Sequence, residues 1–277
     1  MFVRSNNNDC SLERTCSLSS RDGSIRRLKG TATVPPSVDS ATGVASKDVL
    51  IVPGTGVFAR LYLPPPPQPE KFPVVVYFHG GGFCIYSAAS PTCHRYLNYL
   101  TAAARVLCVS VEYRLAPEHP LPAAYDDSWA ALSWDFTRVF LAGDSCGANI
   151  AHNMAMCAAV EALSCGVEIE GLVAVHPLFW FSPAAGESSA GAMESAEETF
   201  EEALRFLYSS SAKGLEEPCL NPTAAEAPER SGFRGPLEKL ETEGEGHVFH
   251  LPKPGCDRAR EMMERVAAFI RGESNPA

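Results

Sequence analysis

The chain has 277 residues, 45% of them apolar and 20% charged, and a formal net charge of -10. That length suffices for one large α/β domain or two small ones with a well-buried core. The acidic balance argues against a nucleic-acid or anionic-membrane surface, because both need clustered Lys and Arg.

Residues 1–45 show little periodicity and read as an irregular N-terminal segment. The stretch Met1 to Lys29 lacks the apolar region of a secretory signal. Its Arg and Ser suit an organelle transit peptide, but Asp9, Glu13 and Asp22 count against one. From Ser46 onward the chain reads as a single domain, 46–272. Lys47 to Val52 and Val57 to Tyr62 are predicted strands, and the turn Pro53-Gly-Thr-Gly56 between them signals a hairpin. Pro64 to Pro67 then breaks the sheet.

Pro73 to Phe78 is wholly apolar and suits a strand buried on both faces of a mainly parallel sheet. The expected order after it is helix Thr92 to Ala104, strand Val106 to Val111, helix Pro122 to Trp134 and strand Arg138 to Ala142. Helix Ala148 to Leu163 and strand Ile169 to Val175 complete the run. Strand and helix in alternation mean a doubly wound α/β sheet, and right-handed crossovers leave few other topologies. Beyond Trp180 the alternation stops. Ala192 to Tyr208 reads as an acidic amphipathic helix, Lys213 to Pro236 holds no apolar strand, Leu237 to Glu243 is a short strand, and Asp257 to Arg271 is a closing helix. No run of eighteen apolar residues is present, so no membrane span is expected.

Gly143-Asp-Ser145-Cys-Gly147 fits G-x-S-x-G between a predicted strand and a predicted helix. A nucleophilic serine needs a sharp turn at the carboxyl end of a strand, and the glycines remove side chains that would clash there. The helix that follows aims its N-terminal N–H groups at a developing oxyanion. His79-Gly-Gly-Gly82 follows a buried strand, where glycines leave backbone N–H groups unobstructed, as in the oxyanion loop of lipases and esterases. Gly81, Gly82 and the N–H of Cys146 are the expected donors, with Gly80 in reserve. His247 lies on a Gly-rich turn near the C-terminus, the place of a general base in the order serine, acid, histidine. His250 is its rival, while His94, His119, His152 and His176 read as helix, turn or packing residues. Ten cysteines without C-x-x-C spacing point to reduced thiols in the cytosol, and no Cys/His cluster has zinc-ligand spacing.

From about Asp22 to Gly272 the chain resembles plant carboxylesterases of the hormone-sensitive-lipase group, relatives of the gibberellin receptor. The resemblance rests on His79-Gly-Gly-Gly-Phe83, Val109 to His119, Gly143 to His152, Val175-His-Pro-Leu-Phe-Trp180 and Glu245 to His250. It implies the α/β-hydrolase fold, Ser145 as nucleophile, His247 as base and the His79 loop as oxyanion hole. It further implies a small-molecule ester as substrate and no cofactor or metal; it leaves the oligomeric state open.

The family pattern also implies an aspartate on a buried strand between the serine and the histidine. The only Asp after Ser145 is Asp257, beyond His247, where it reads as a helix cap. A block looks deleted between Pro222 and Pro236, and a shorter one near Trp134-Asp135, so the strand that carries the triad acid is expected to be missing. Glu226 and Glu229 are the substitutes on offer, against the plain reading of both as solvated charges. Loss of a central strand would open a sheet edge. Three readings follow: an ester hydrolase, a receptor-like small-molecule binder on the same fold, and an inactive remnant.

Overall fold

The structure is a computed structural model that describes residues 2–5, 17–19, 25–67, 72–132, 138–161, 168–179, 219–220 and 238–273. The predicted acidic helix at 192–208, the two suspected deletions, Glu226 and Glu229 lie outside these residues.

Ten strands and four helices are described. The strands are β1 (Phe2–Ser5), β2 (Ser17–Ser19), β3 (Ile25–Arg27), β4 (Ala45–Val52), β5 (Val57–Leu63), β6 (Val74–Phe78), β7 (Leu107–Glu112), β8 (Arg138–Asp144), β9 (Glu168–Val175) and β10 (Lys239–Thr242). The helices are α1 (Pro91–Ala104), α2 (Ala123–Leu132), α3 (Cys146–Val160) and α4 (Asp257–Arg271). Eight strands form one sheet in the order β10-β1-β9-β8-β6-β7-β5-β4, while β2 and β3 pair separately as a hairpin. The pairs from β10 across to β7 are all parallel, and β5 and β4 close that side antiparallel.

Strand β6 shows why the sheet is covered on both faces. All five of its residues are buried, and side chains alternate across a strand with a period of two. Val74, Val76 and Phe78 join the core shared with Leu132, Ile150 and Met154 of α2 and α3. Val75 and Tyr77 join the other core, with Leu97 and Leu100 of α1 and Met262, Val266 and Ile270 of α4. Parallel strands covered in this way need to be apolar throughout, as the sequence here is.

The N-terminal segment departs from expectation. Phe2–Ser5 is a strand of the main sheet, between β9 and β10 and parallel to both, with Phe2 level with Ala174 and Ser5 level with Thr242. Among the described residues, β9 and β10 are thus bridged by backbone from the far end of the chain. Four residues with N–H and C=O groups free suffice, because a ladder asks only for backbone. Nothing in the alternation of 1–45 signals such a pairing. The helix starts also shift slightly: Cys256 rather than Asp257 stands at the N-cap of α4, and Asp257 is an exposed first-turn acid paired with Arg260.

Candidate active site

Because β6, β8 and β10 run parallel, the segments after them leave the sheet at the same edge. Those segments carry His79 to Gly82, Ser145 and His247, so parallel topology gathers what the sequence scatters.

Ser145 sits between β8 and α3 with φ 53 and ψ -122, outside the conformations an L-residue normally adopts. Such strain persists only where the surroundings over-determine it. Here they do. The Ser145 N–H donates to the Val175 carbonyl at 2.9 Å, and the Ser145 carbonyl accepts from Leu178 N–H at 3.1 Å. The flanking glycines are required by close approach: a Cβ on Gly147 would stand 2.0 Å from the Phe78 carbonyl oxygen, and one on Gly143 would stand 2.4 Å from Gly147.

His247 Nε2 lies 3.0 Å from Ser145 Oγ, within hydrogen-bond reach of the hydroxyl proton. Burial lowers the imidazole's pKa below its ordinary 6.5, and no carboxylate contributes to that shift. Among the described residues no carboxylate lies within hydrogen-bond distance of the ring. His250 does not compete for the serine. It is buried against Tyr96 with neither ring nitrogen hydrogen-bonded, and its pKa is lowered by desolvation to about 3.

The glycine loop after β6 is held from several sides. The Gly80 N–H donates to Asp144 Oδ1 at 3.0 Å, and Tyr77 Oη donates to the same oxygen at 2.5 Å. The Gly80 amide is thus engaged within the loop's own support. His79 stacks on Tyr113 with ring centroids 4.4 Å apart, its Nδ1 donates to the Gly80 carbonyl at 2.7 Å, and Tyr113 Oη donates to the His79 carbonyl at 2.6 Å. Gly81 has φ 116, a conformation open to glycine, and its carbonyl accepts from Cys84 and Ile85. Cys146 contributes more than its amide: Phe83 N–H donates to its Sγ at 3.2 Å. Burial pushes that thiol up to about 12, with the Phe83 and Gly82 amides acting the other way.

Two participants escaped the sequence reading. Asp144 occupies a variable position of G-x-S-x-G, and only its burial beneath the glycine loop reveals a role. His176, read as packing, accepts the Val248 N–H at 2.7 Å beside the candidate base. Of the other histidines, His94 pairs with Tyr62 Oη, and His152 packs against Phe179. No group of three or more His, Cys, Asp or Glu that could hold a metal is found among the described residues.

Comparison with known proteins places the fold. Residues 75–250 match the model of a family described as having the alpha/beta hydrolase fold. The chain is 38% identical to probable carboxylesterase 13 of Arabidopsis thaliana, covering 91% of this chain and 95% of that one. It is 36% identical to 2-hydroxyisoflavanone dehydratase of Glycyrrhiza echinata over 311 residues, with 90% and 92% covered. An alignment longer than this 277-residue chain means that the relative carries blocks absent here. Among solved structures, esterase LipW from Mycobacterium marinum superposes with a TM-score of 0.66 at 25% identity, covering 86% of this chain and 84% of that one. The chain belongs to the α/β-hydrolase family, as a carboxylesterase-type hydrolase of the plant group similar to hormone-sensitive lipase.

Proposed function

We propose that this carboxylesterase-type hydrolase cleaves small carboxylic esters with Ser145 as nucleophile and His247 as general base. The observation that carries the assignment is the 3.0 Å contact between His247 Nε2 and Ser145 Oγ. With its pKa lowered by burial, the imidazole is neutral at pH 7 and free to accept the hydroxyl proton. Ser145 Oγ then attacks the ester carbonyl. The N–H groups of Gly81, Gly82 and Cys146 receive the negative charge that develops on its oxygen. The imidazolium returns its proton to the departing alkoxide, and water, activated by the same base, releases the acid and restores Ser145.

Among the described residues the site is a Ser–His pair. In serine-protease triads the acid fixes the tautomer, and disabling it costs about 10⁴ in kcat. Slow turnover is the expected consequence. Glu226 and Glu229 are the carboxylates to test as substitutes. The cytosol is the proposed location, in keeping with seven described cysteines that stand outside any disulfide. Among the described residues, no helix is long and apolar enough to cross a membrane.

The test is hydrolysis of p-nitrophenyl acetate and butyrate by the purified chain beside Ser145→Ala and His247→Ala. Activity in the parent that both substitutions abolish supports the assignment. A folded parent no faster than Ser145→Ala overturns it and leaves a binding role or none.

A further inference from the structure

His176 follows directly on β9. Its neighbours are laced to the nucleophile's turn on both sides, through Ser145 N–H to the Val175 carbonyl and Leu178 N–H to the Ser145 carbonyl. Its own backbone is strained, at φ 47. On the opposite loop Val248, the residue after the candidate base, stands at φ 48. That conformation is costly for a β-branched side chain. The two strained residues meet in one hydrogen bond, from Val248 N–H to His176 Nδ1 at 2.7 Å. The ring of His176 lies 5.6 Å from that of His247, tilted by 32°.

A closed circuit results. It runs from Ser145 through Val175 and His176 to Val248 and His247, and returns by the contact between His247 Nε2 and Ser145 Oγ. We infer that His176 is the positioning residue that sets His247 against Ser145, acting on the backbone of the base loop through its Nδ1. The inference rests on the Ser–His ester-hydrolase reading. It has added weight in this chain, where no described carboxylate holds the imidazole from its other side. Accepting from Val248 requires Nδ1 to be unprotonated, which puts the proton of the neutral ring on Nε2. His176 Nε2 is buried without a hydrogen-bond partner, so nothing described here competes for that tautomer.

Three substitutions in the full chain separate acceptor, ring and backbone. His176→Phe keeps a ring and removes the acceptor. His176→Gly relieves the positive φ and also removes the acceptor. His176→Asn tolerates positive φ and places an amide oxygen near the position of Nδ1. With p-nitrophenyl butyrate, kcat is expected to fall about 10²-fold in the Phe and Gly variants with KM little changed, as displacement of a catalytic group by about 1 Å can do. The Asn variant should recover most of the loss. Full kcat in either the Phe or the Gly variant, or an Asn variant no faster than a folded Phe variant, overturns the inference.

A second measurement does not depend on activity. Long-range ¹H–¹⁵N spectra of the parent should show His176 as the Nε2–H tautomer, with the Val248 amide protected from hydrogen exchange. A proton on Nδ1 near pH 7, or a Val248 amide that exchanges freely, overturns the inference even if a variant fails to fold. A parent that hydrolyses no ester would instead sink the proposed function, leaving the tautomer and exchange results to judge His176.

Discussion

Replacing Asp144 by alanine should weaken both fold and catalysis, and its size can be worked from the contacts. Asp144 Oδ1 is the recorded acceptor for two buried donors, Tyr77 Oη and Gly80 N–H. A buried donor left without an acceptor costs about 1–3 kcal/mol, so two give about 2–6 kcal/mol. Against this, burial already disfavours the carboxylate, whose pKa is raised by desolvation despite the opposing pull of its hydrogen bonds. Removing it relieves that strain, which places the net loss near the lower end, about 2–3 kcal/mol. Urea unfolding with m of about 2–3 kcal/mol/M would register this as a midpoint about 1 M lower. The released Gly80 would also loosen Gly81 and Gly82, and loss of one oxyanion donor costs about 10²–10³ in kcat. Tyr77→Phe is the control. It removes one donor along with its need for an acceptor, leaves Gly80 anchored, and should keep most of the turnover. An Asp144→Ala variant that unfolds within about 0.2 M of the parent and turns over at the parent rate would refute this account of the glycine loop.

Gly81→Ala should all but abolish turnover, because φ 116 is closed to alanine and its Cβ would stand 2.1 Å from the Ile85 carbonyl oxygen; wild-type kcat would show that the loop can be rebuilt. The acid limb of kcat/KM should have its midpoint below pH 6.5, since His247 must lose its proton to act and burial lowers its pKa; a midpoint above 6.5 contradicts this. Stability should fall as pH drops below about 6.5. His176 and His250, with folded pKa values lowered to about 4 and about 3, stay neutral while the unfolded chain takes up protons. Two such groups give a slope that peaks at about 2.7 kcal/mol per pH unit near pH 5, halved in His250→Phe, as unfolding between roughly pH 6 and 4 would measure. Deleting residues 1–5 should leave β9 and β10 with open ladders, seen as a lower melting temperature and as aggregation by light scattering; unchanged behaviour would mean that the β1 pairing carries no stability.

Much of the site was readable because its chemistry demands particular residue types in a row. A serine on a strained turn needs small neighbours, so Gly143 and Gly147 announce it, and a loop that offers bare amides needs glycine, so Gly80 to Gly82 announce that. Apolar alternation with helical stretches was likewise enough to place the strands Val74–Phe78, Leu107–Glu112, Arg138–Asp144 and Glu168–Val175 within a residue or two at each well-marked end. These are local signals, written in spacing and periodicity.

What stayed hidden depends on partners remote in the chain. The role of Asp144 exists only because Tyr77 and Gly80 are folded over it, and that of His176 only because the loop after β10 comes to rest on β9. Strand β1 is the extreme case, since a backbone ladder leaves no side-chain pattern by which Phe2–Ser5 could declare its place between β9 and β10. The sequence by itself determined the fold class and the choice of Ser145 and His247 as candidate nucleophile and base. The tertiary structure alone decided which groups hold them in register, because a hydrogen bond between distant residues is set by where the chain returns and not by what stands beside them.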